Sequence, residues 1–388
     1  MEAYNSHMKI NKYFLCATGL WPYQSKVTQK LISFFIWLSL ISFLIPQILA
    51  LINNWGNTDI VIQWLPPCFV NLLSISCYVP ASINRNKIKL ILSKMKEDWQ
   101  LCESNSEFQI LNSNGILSKN VNNAIYVFFY IAMLEFLTVP LIPSFLDKIK
   151  PLNESRPRRL IMVTDYLVDS NNYYAAIAAH HWHVSIITIT LILTVDGIFR
   201  AFIYHACGQM EILGFKMKNI VKIDYNMDIS DERNVQREIK FCIQKHKSVV
   251  MFVNQINDCF STSYFMGLGF NMIMISFTGV QLIMKLDDPS ETFAILSYTM
   301  SQILRLFSLT LPCQRLIDQS TLLSLNIYNS YWYNLSLESK NLLKIIMLRC
   351  MKPCTFTAGK LYTFSMSNFG VVVKTSISYF TVLLSLRN

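Results

Sequence analysis

The sequence predicts an all-α membrane protein with seven transmembrane helices. Apolar residues make up 52% of the 388 residues, charged residues only 15%, and the mean hydropathy is +0.33. Soluble domains carry about 25% charged residues. Stretches of roughly 20 nearly uncharged residues recur along the chain, and each is long enough to cross a hydrocarbon core about 30 Å thick. No second domain, low-complexity tract or internal repeat is visible, so residues 1–388 are expected to form one domain.

The first predicted span follows a mostly polar segment of 30 residues. Because this apolar run is longer than the apolar part of a signal peptide, we interpret it as a span. The sixth predicted span is interrupted by Arg305. The seven predicted spans are residues 31–52, 60–83, 124–143, 178–206, 260–284, 293–312 and 365–386.

Basic residues predict the orientation of these spans. Of the 34 Lys and Arg residues, 24 lie in segments on the same side of the membrane as the N-terminus, and 7 lie in segments on the opposite side. The other three, Arg200, Arg305 and Lys374, lie inside spans. Because basic segments stay in the cytosol, the N-terminus is predicted to be cytosolic, and seven spans then place the C-terminus outside. The net charge of +10 is thus a sign of topology and not of nucleic-acid binding.

The segments between the spans differ on the two sides of the membrane. On the cytosolic side, apolar positions at helical spacing predict helices over residues 87–99, 315–333 and 340–349. Together these helices are expected to form a cytosolic bundle, here called the anchor region. A single chain does not require such a bundle, so it indicates an assembly of several chains. The long outer segment 145–173 is expected to pack as a lid over the helices, and it carries a glycosylation sequon at Asn153.

Charged residues inside spans are costly and need partners. Asp196 and Arg200 are four residues apart and share a helix face, which favours a structural ion pair between them. A cation path is the functional alternative for this pair. Glu135 is expected to pair with Arg305 and to hold the third and sixth spans together.

Three histidines, His180, His181 and His183, cluster at the start of the fourth span. Imidazoles so close together are able to bind zinc or copper, but no nearby Cys or carboxylate completes such a site. A polar collar around Trp182 at the membrane interface is the favoured interpretation. Neither a metal nor another cofactor is therefore expected.

The chain carries no recognisable catalytic motif. Glycine is scarce, with 11 residues in 388, and the P-loop, GxGxxG, HExxH and GxSxG patterns do not occur. The histidine cluster is the only candidate catalytic site. An enzyme is therefore not expected.

Aromatic and thioether side chains populate the outer halves of several predicted spans. Such side chains line soft apolar cavities with few polar groups, which suit a small volatile ligand. Ordinary helix packing is the alternative for each residue taken singly. The candidate pocket residues are Phe69, Met133, Phe136, Leu137, Trp182, Met272, Met274 and Tyr298.

The last predicted span is unusually polar for a transmembrane helix. Its residues Lys374, Ser378, Thr381 and Ser385 step by four, three and four positions and therefore lie along one helix face. If several copies met around an axis, this face would line a water-filled pore. Packing against neighbouring helices through small polar residues is the alternative.

Several tracts of the chain resemble the insect odorant receptor family. They read QRLIDQS at 314–320, IYNSYWY at 327–333, TAGKLY at 357–362 and SYFTVL at 378–383. The related gustatory receptors carry a Thr-Tyr and Gln-Phe signature in the last span. Here Ser378 precedes Tyr379 and no such Gln follows, which favours the odorant branch.

The resemblance implies a subunit that binds small volatile molecules. It also implies a ligand-gated, non-selective cation channel, formed as a heterotetramer with the odorant receptor co-receptor in the plasma membrane of an olfactory sensory neuron. Because the tail near Ser385 departs from that of the co-receptor, the chain is identified as a ligand-tuning subunit. A gustatory-type receptor or a G-protein-coupled receptor is the alternative, and the latter requires an external N-terminus.

The resemblance also implies roles for the last cytosolic helix and for the last membrane span. The helix around 340–351 would join a central anchor, and the last span would line the pore. Val382 and Leu386 would form the narrow gate. The helix face that carries Val382 and Leu386 is rotated by about one residue position from the polar face that contains Ser378 and Ser385. All four residues are therefore pore candidates.

Overall fold

Helices make up nearly all of the regular structure in the computed structural model, which describes residues 2–102, 104–138, 141–150, 156, 160–220 and 229–387. The predicted all-α fold is confirmed. The helices are α1 (Glu2–Ala17), α2 (Lys26–Asn53), α3 (Thr58–Ile83), α4 (Arg85–Gln100), α5 (Asn105–Thr138), α6 (Ile142–Ile149), α7 (Tyr174–Ile220), α8 (Ile229–Met284), α9 (Pro289–Tyr328), α10 (Leu337–Cys350) and α11 (Met366–Arg387).

Six of the described helices, α2, α3, α5, α7, α8 and α11, are long and apolar enough to cross a membrane. Helix α9 contains the sixth predicted span but does not belong to this set. Its polar residues Ser301, Gln302, Arg305 and Ser308 are buried within the protein. Its lower hydropathy therefore reflects a face that contacts other helices and not lipid. The membrane crossing of α9, and with it the count of seven spans, remains a prediction, as does the orientation.

Several helix ends differ from the predicted spans. Helix α5 ends at Thr138, so the predicted third span 124–143 is too long, and residues 142–143 begin the separate helix α6. Helices α7 and α8 contain 47 and 56 residues, which corresponds to lengths of about 70 and 84 Å. Because both far exceed the bilayer core, these helices continue beyond the membrane, as the predicted anchor region requires.

Helix α7 forms the centre of the bundle. Residues 191–210 are buried on every side of this helix, and α3, α5, α8 and α9 pack around it. Gly197 permits the close approach of α5, because a Cβ atom at this position would overlap the hydroxyl of Tyr126. That hydroxyl donates to Asn11 Oδ1 at 2.8 Å, which ties α1 to the same place.

One buried ion pair joins α7 to α9. The guanidinium of Arg305 donates from Nε to Asp196 Oδ2 at 2.7 Å and from a terminal nitrogen to Oδ1 at 3.0 Å. The hydroxyl of Tyr264 on α8 donates to the same Oδ1 atom at 3.1 Å. Both charged residues are at most 5% exposed. Two parallel bonds to one carboxylate give this pair the geometry of a strong charge-assisted contact.

This pairing shows that both predicted pairs, Asp196 with Arg200 and Glu135 with Arg305, are wrong. Arg200 Nε instead donates to Asn122 Oδ1 at 2.6 Å. Glu135 Oε2 accepts a hydrogen bond from Ser297 at 2.8 Å. Spacing along a helix shows which residues share a face, but the neighbouring helix supplies the partner. Here α9 places its guanidinium beside α7 and not beside α5.

A second charged cluster lies where α4, α7 and α8 meet, at the end of the predicted fourth span. Asp98 accepts hydrogen bonds from His205 Nε2 at 3.1 Å and Lys245 Nζ at 3.2 Å. Burial opposes ionisation of this carboxyl group, but the hydrogen bond from His205 and the nearby positive charges lower its pKa to about 2. Asp98 is therefore ionised at neutral pH and holds α4, α7 and α8 together.

A small β-hairpin, which the sequence analysis missed, connects α10 to α11. Its strands β1 (Thr357–Ala358) and β2 (Tyr362–Thr363) are antiparallel. The turn residues Gly359 and Lys360 have φ angles of 58° and 61°, as in a type I′ hairpin turn. A Cβ atom on Gly359 would lie 2.6 Å from Phe265, so only glycine lets the hairpin dock on α8.

We expect Asp196→Ala to destabilise the protein by about 3–5 kcal/mol, because it leaves the buried guanidinium of Arg305 without its counter-charge. Thermal unfolding of detergent-solubilised protein, followed by size-exclusion chromatography, measures this loss. The double variant Asp196→Leu with Arg305→Met is the matched control, and it should recover most of the stability because no buried charge remains. Equal losses in the single and double variants would contradict this assignment.

Candidate ligand-binding site

A small cavity lies within the bundle among α2, α3, α5, α7 and α9. Its volume is about 110 Å³, and most of its wall is apolar. The charge of Arg305, which reaches the wall, is balanced by Asp196. The wall includes Phe43 from α2, Asn71 from α3, Phe129, Met133 and Phe136 from α5, Val184 and Ser185 from α7, and Tyr298 and Gln302 from α9.

Three of the predicted pocket residues, Met133, Phe136 and Tyr298, line this cavity together. The others lie outside it. Leu137 and Trp182 belong to an adjacent apolar cluster, Phe69 packs on Phe270 at 5.5 Å between ring centroids, and Met272 packs against the main core. Met274 is buried, and its sulfur atom lies 3.6 Å from the Tyr298 hydroxyl, which donates to it.

Sequence analysis missed the polar residues of the wall. Asn71, Ser185 and Gln302 come from three different helices and meet at the cavity only in the folded bundle. The signal in the sequence was an amide side chain inside an otherwise apolar span. Such a group costs free energy in a membrane unless it has a partner or faces a cavity. Asn71 is the clearest example, since it is only 2% exposed.

A larger space of about 840 Å³, here called the vestibule, adjoins the cavity between α3, α6, α8 and α9. Pro67, Phe136, Met162 and Tyr298 belong to the walls of both spaces. The rings of Phe136 and Tyr298 are 5.8 Å apart, and the Tyr298 hydroxyl donates to Pro66 O at 3.3 Å. These side chains form the partition between the two spaces, so their rotation would open the cavity to the vestibule.

The segment 160–173, here called the lid, covers the cavity and supplies Met162 to its wall. The Thr164 hydroxyl lies 3.0 Å from His181 Nε2, and the Tyr166 hydroxyl lies 2.7 Å from His180 Nδ1. The backbone N–H of Asp165 donates to Pro46 O on α2 at 3.0 Å. The described part of the predicted lid is thus attached to both α2 and α7. The sequon residue Asn153 lies outside the described residues.

The histidine cluster attaches the lid to the bundle. Besides the contacts of His180 and His181 with the lid, His180 Nε2 lies 3.0 Å from the Ser42 hydroxyl and His183 Nε2 lies 3.0 Å from the Ser39 hydroxyl. Each imidazole therefore has its own hydroxyl partner. Within the described residues, no group of three His, Cys, Asp or Glu side chains is arranged to hold a metal ion.

Helix α11 packs on α8 through one face and leaves the opposite face exposed. On the packed face, Ser276 donates to the carbonyl of Ser376 at 3.0 Å, and Gly279 makes room for the ring of Phe380. On the other face Ser378 is exposed and Val382 is 53% exposed. A helix with so much free surface in the single chain is suited to contacts with other subunits.

The hydroxyl groups on the exposed face of α11 donate within their own helix. Ser378 donates to Lys374 O at 3.1 Å, Thr381 to Ser378 O at 2.8 Å, and Ser385 to Val382 O at 2.8 Å. Their oxygen atoms keep free acceptor capacity towards the exposed side. The side chain of Leu386, the second predicted gate residue, lies outside the described residues.

The described structure is a helical bundle with membrane-length helices and a small apolar cavity under a docked lid. The chain belongs to the 7tm odorant receptor family, whose model matches residues 61–377. The predicted resemblance to insect odorant receptors is thus confirmed. Membership of this family also identifies the chain as a receptor rather than an enzyme.

Curated relatives include odorant receptors and co-receptors of insects. Odorant receptor 13a of Drosophila melanogaster is 26% identical over 218 residues, which cover 52% of this chain and 51% of that protein. The odorant receptor coreceptor of Anopheles gambiae is 26% identical over 157 residues, which cover 40% of this chain and 33% of that protein. The chain thus spans about half or less of the length of these relatives.

A solved structure shares the fold over nearly the whole chain. The insect olfactory receptor OR5 from Machilis hrabei, in complex with eugenol, superposes with a TM-score of 0.84 and covers 98% of both chains. Another structure of that receptor gives a TM-score of 0.82. The sequence identity is 16% in both cases, so this likeness establishes the fold alone.

We expect the double variant Thr164→Val with Tyr166→Phe to loosen the lid without unfolding the bundle. Each lost hydrogen bond contributes about 1 kcal/mol, so lid opening should become at least tenfold more frequent. Hydrogen exchange of the Asp165 amide, which is protected by Pro46 O, measures this opening. Val168→Ala, at an exposed position of the same segment, is the control and should leave this exchange unchanged. Unchanged exchange in the double variant would show that these contacts do not hold the lid.

Proposed function

We propose that this chain is an odorant receptor subunit that binds small volatile molecules in the cavity beneath the lid. The observation that supports the proposal is a cavity of about 110 Å³ with a mostly apolar wall, enclosed by the bundle of an odorant receptor family member. One water occupies about 10–15 Å³ by this measure, so the cavity holds on the order of ten non-hydrogen atoms. Apolar molecules of that size are commonly volatile.

We also propose that the chain forms a ligand-gated, non-selective cation channel together with the odorant receptor co-receptor, as a tuning subunit of a heterotetramer. The exposed faces of α10 and α11 support an assembly, since Leu337, Leu348 and Met351 are 67–81% exposed in the single chain. Large exposed apolar surface marks an interaction site or a lipid contact. The proposed pore lining consists of Ser378, Val382, Ser385 and Leu386.

The proposed setting is the plasma membrane of an olfactory sensory neuron. The chain would cross it seven times as a single domain of residues 1–388, with a cytosolic N-terminus and an external C-terminus. The excess of basic residues on the N-terminal side supports this orientation. The predicted outer segment 145–173, which contains Asn153, would then face the exterior and offer that residue for glycosylation.

The proposed mechanism couples the cavity to α11 through α8. A ligand that binds the open state more tightly than the closed state shifts the population towards the open state. The cavity wall belongs partly to α3, and Gln281 on α8 donates to Ile62 O on α3 at 2.7 Å. Helix α8 in turn carries α11 through the contact of Ser276 with Ser376. Movement of the cavity wall is thereby transmitted to the proposed gate.

Expression with the co-receptor, followed by current recording under a panel of volatiles, tests this function. We expect cation currents with the wild-type chain and their loss in Met133→Trp, because the larger side chain fills the cavity. Val127→Trp is the control, since Val127 lies on the same helix but is 60% exposed. Its currents should match those of the wild type.

Three results would count against the proposed function. They are silence across a broad panel despite surface delivery, equal currents without the co-receptor, and an unchanged response in Met133→Trp. An epitope on the N-terminus that is accessible from outside intact cells would favour a G-protein-coupled receptor instead.

Cysteine substitutions on α11 test the proposed pore lining. We expect a charged thiol reagent to reduce the current through Ser378→Cys and Val382→Cys channels, because these positions lie on the exposed face of α11. Ser376→Cys is the control, since Ser376 is fully buried against α8. Block at position 376, or no block at positions 378 and 382, would show that another face of α11, or another helix, lines the pore.

A further inference from the structure

Two buried polar atoms on residues that line the cavity have no hydrogen-bond partner among the described protein groups. They are Asn71 Oδ1 on α3 and the hydroxyl oxygen of Ser185 on α7. One N–H of the Asn71 amide donates to Gln47 Oε1 at 3.5 Å. Leaving a buried polar atom unpaired is costly, and such atoms in native proteins call for an explanation.

Three other polar residues that reach the cavity wall have partners within the protein. Ser301 donates to Ser297 O at 2.8 Å, Gln302 Oε1 accepts from Asn271 at 3.3 Å, and Arg305 is held by Asp196. The Thr188 hydroxyl and the Gln302 amide nitrogen, which also belong to the wall, are able to donate to a ligand, whereas Asn71 Oδ1 can only accept and therefore needs a donor from the ligand.

We infer that the ligand of this cavity is a neutral alcohol or phenol of about ten non-hydrogen atoms. This inference rests on the proposed function and specifies its ligand class. A hydroxyl group suits both unpaired atoms, because its hydrogen can be donated to Asn71 Oδ1 and its oxygen can accept from the Ser185 hydroxyl. The remaining part of the ligand meets the apolar side chains of the wall, such as Phe129 and Ile192.

The electrostatics of the wall exclude charged ligands. The only charged side chain that lines the cavity in the described chain is Arg305, and its charge is balanced by Asp196 at 2.7 Å. A carboxylate or ammonium group would be desolvated there without a counter-charge. A hydrocarbon of the same size would fit but would leave Asn71 and Ser185 unpaired. The hydroxyl group therefore distinguishes the preferred ligand from a hydrocarbon of the same size.

Matched pairs of volatiles test this inference: 1-octanol against nonane, and 4-ethylphenol against 4-ethyltoluene, each pair having equal numbers of non-hydrogen atoms. Binding is measured as thermal stabilisation of the purified receptor, and activation as current with the co-receptor. The hydroxyl compound in at least one pair should bind about tenfold more tightly than its hydrocarbon, as one neutral hydrogen bond allows.

Substitutions locate this preference within the cavity. Asn71→Leu should reduce the tenfold ratio to about twofold or less. Ser185→Ala should reduce it by several-fold, and this variant loses no hydrogen bond within the protein, so it remains informative if Asn71→Leu fails to fold. Val70→Ala, which alters an apolar part of the wall, should change the affinity for both members of a pair equally.

The outcomes separate this inference from the proposed function. Equal binding of both members in each pair, or a ratio that persists in Asn71→Leu and Ser185→Ala, overturns the inference, because other groups such as water then satisfy the two atoms. Hydroxyl-selective binding without current supports the inference and counts against the channel. Absence of both binding and current overturns both proposals.

Discussion

The buried ion pair between Asp196 and Arg305 is the contact on which the arrangement of the bundle depends. A charge inside a membrane protein is tolerated only when it is paired, and this pair is bidentate and receives a third hydrogen bond from Tyr264. It fixes the mutual position of α7, α8 and α9. The same pair neutralises the guanidinium at the cavity wall, so the cavity remains suitable for an uncharged ligand.

Polar groups elsewhere in the bundle follow the same requirement. Arg200 is fully buried and bonded to Asn122, and the histidines at the start of α7 bind the hydroxyl groups of the lid and of α2. Other buried polar atoms, such as Gln209 Oε1 and Ser263 Oγ, have no hydrogen-bond partner among the described residues. Of the residues with such atoms, Asn71 and Ser185 are the two that line the cavity, which makes them candidates for recognition.

Helix α8 links the parts of the molecule that the proposed function requires. It receives the hairpin through Gly359, contacts α3 through Gln281 and carries one face of α11. Because interfaces between packed helices shift in discrete steps, the proposed function requires a change in the cavity wall to be transmitted through α8 as a displacement of α11. The opposite face of α11 is exposed in the single chain, as the proposed assembly with other subunits requires.

The sequence by itself determined the class of structure. Apolar runs of about 20 residues specify membrane helices locally. The tracts after Cys313 resemble the family whose model matches residues 61–377. The pairing of charges, the hairpin and the cavity were decided only in the tertiary structure. Glu135 and Arg200 were assigned the wrong partners because helix spacing does not reveal which helix lies opposite. Met133 and Asn71 meet at one cavity because α3 and α5 pack around α7, and a void exists only where several packed helices fail to fill the space between them.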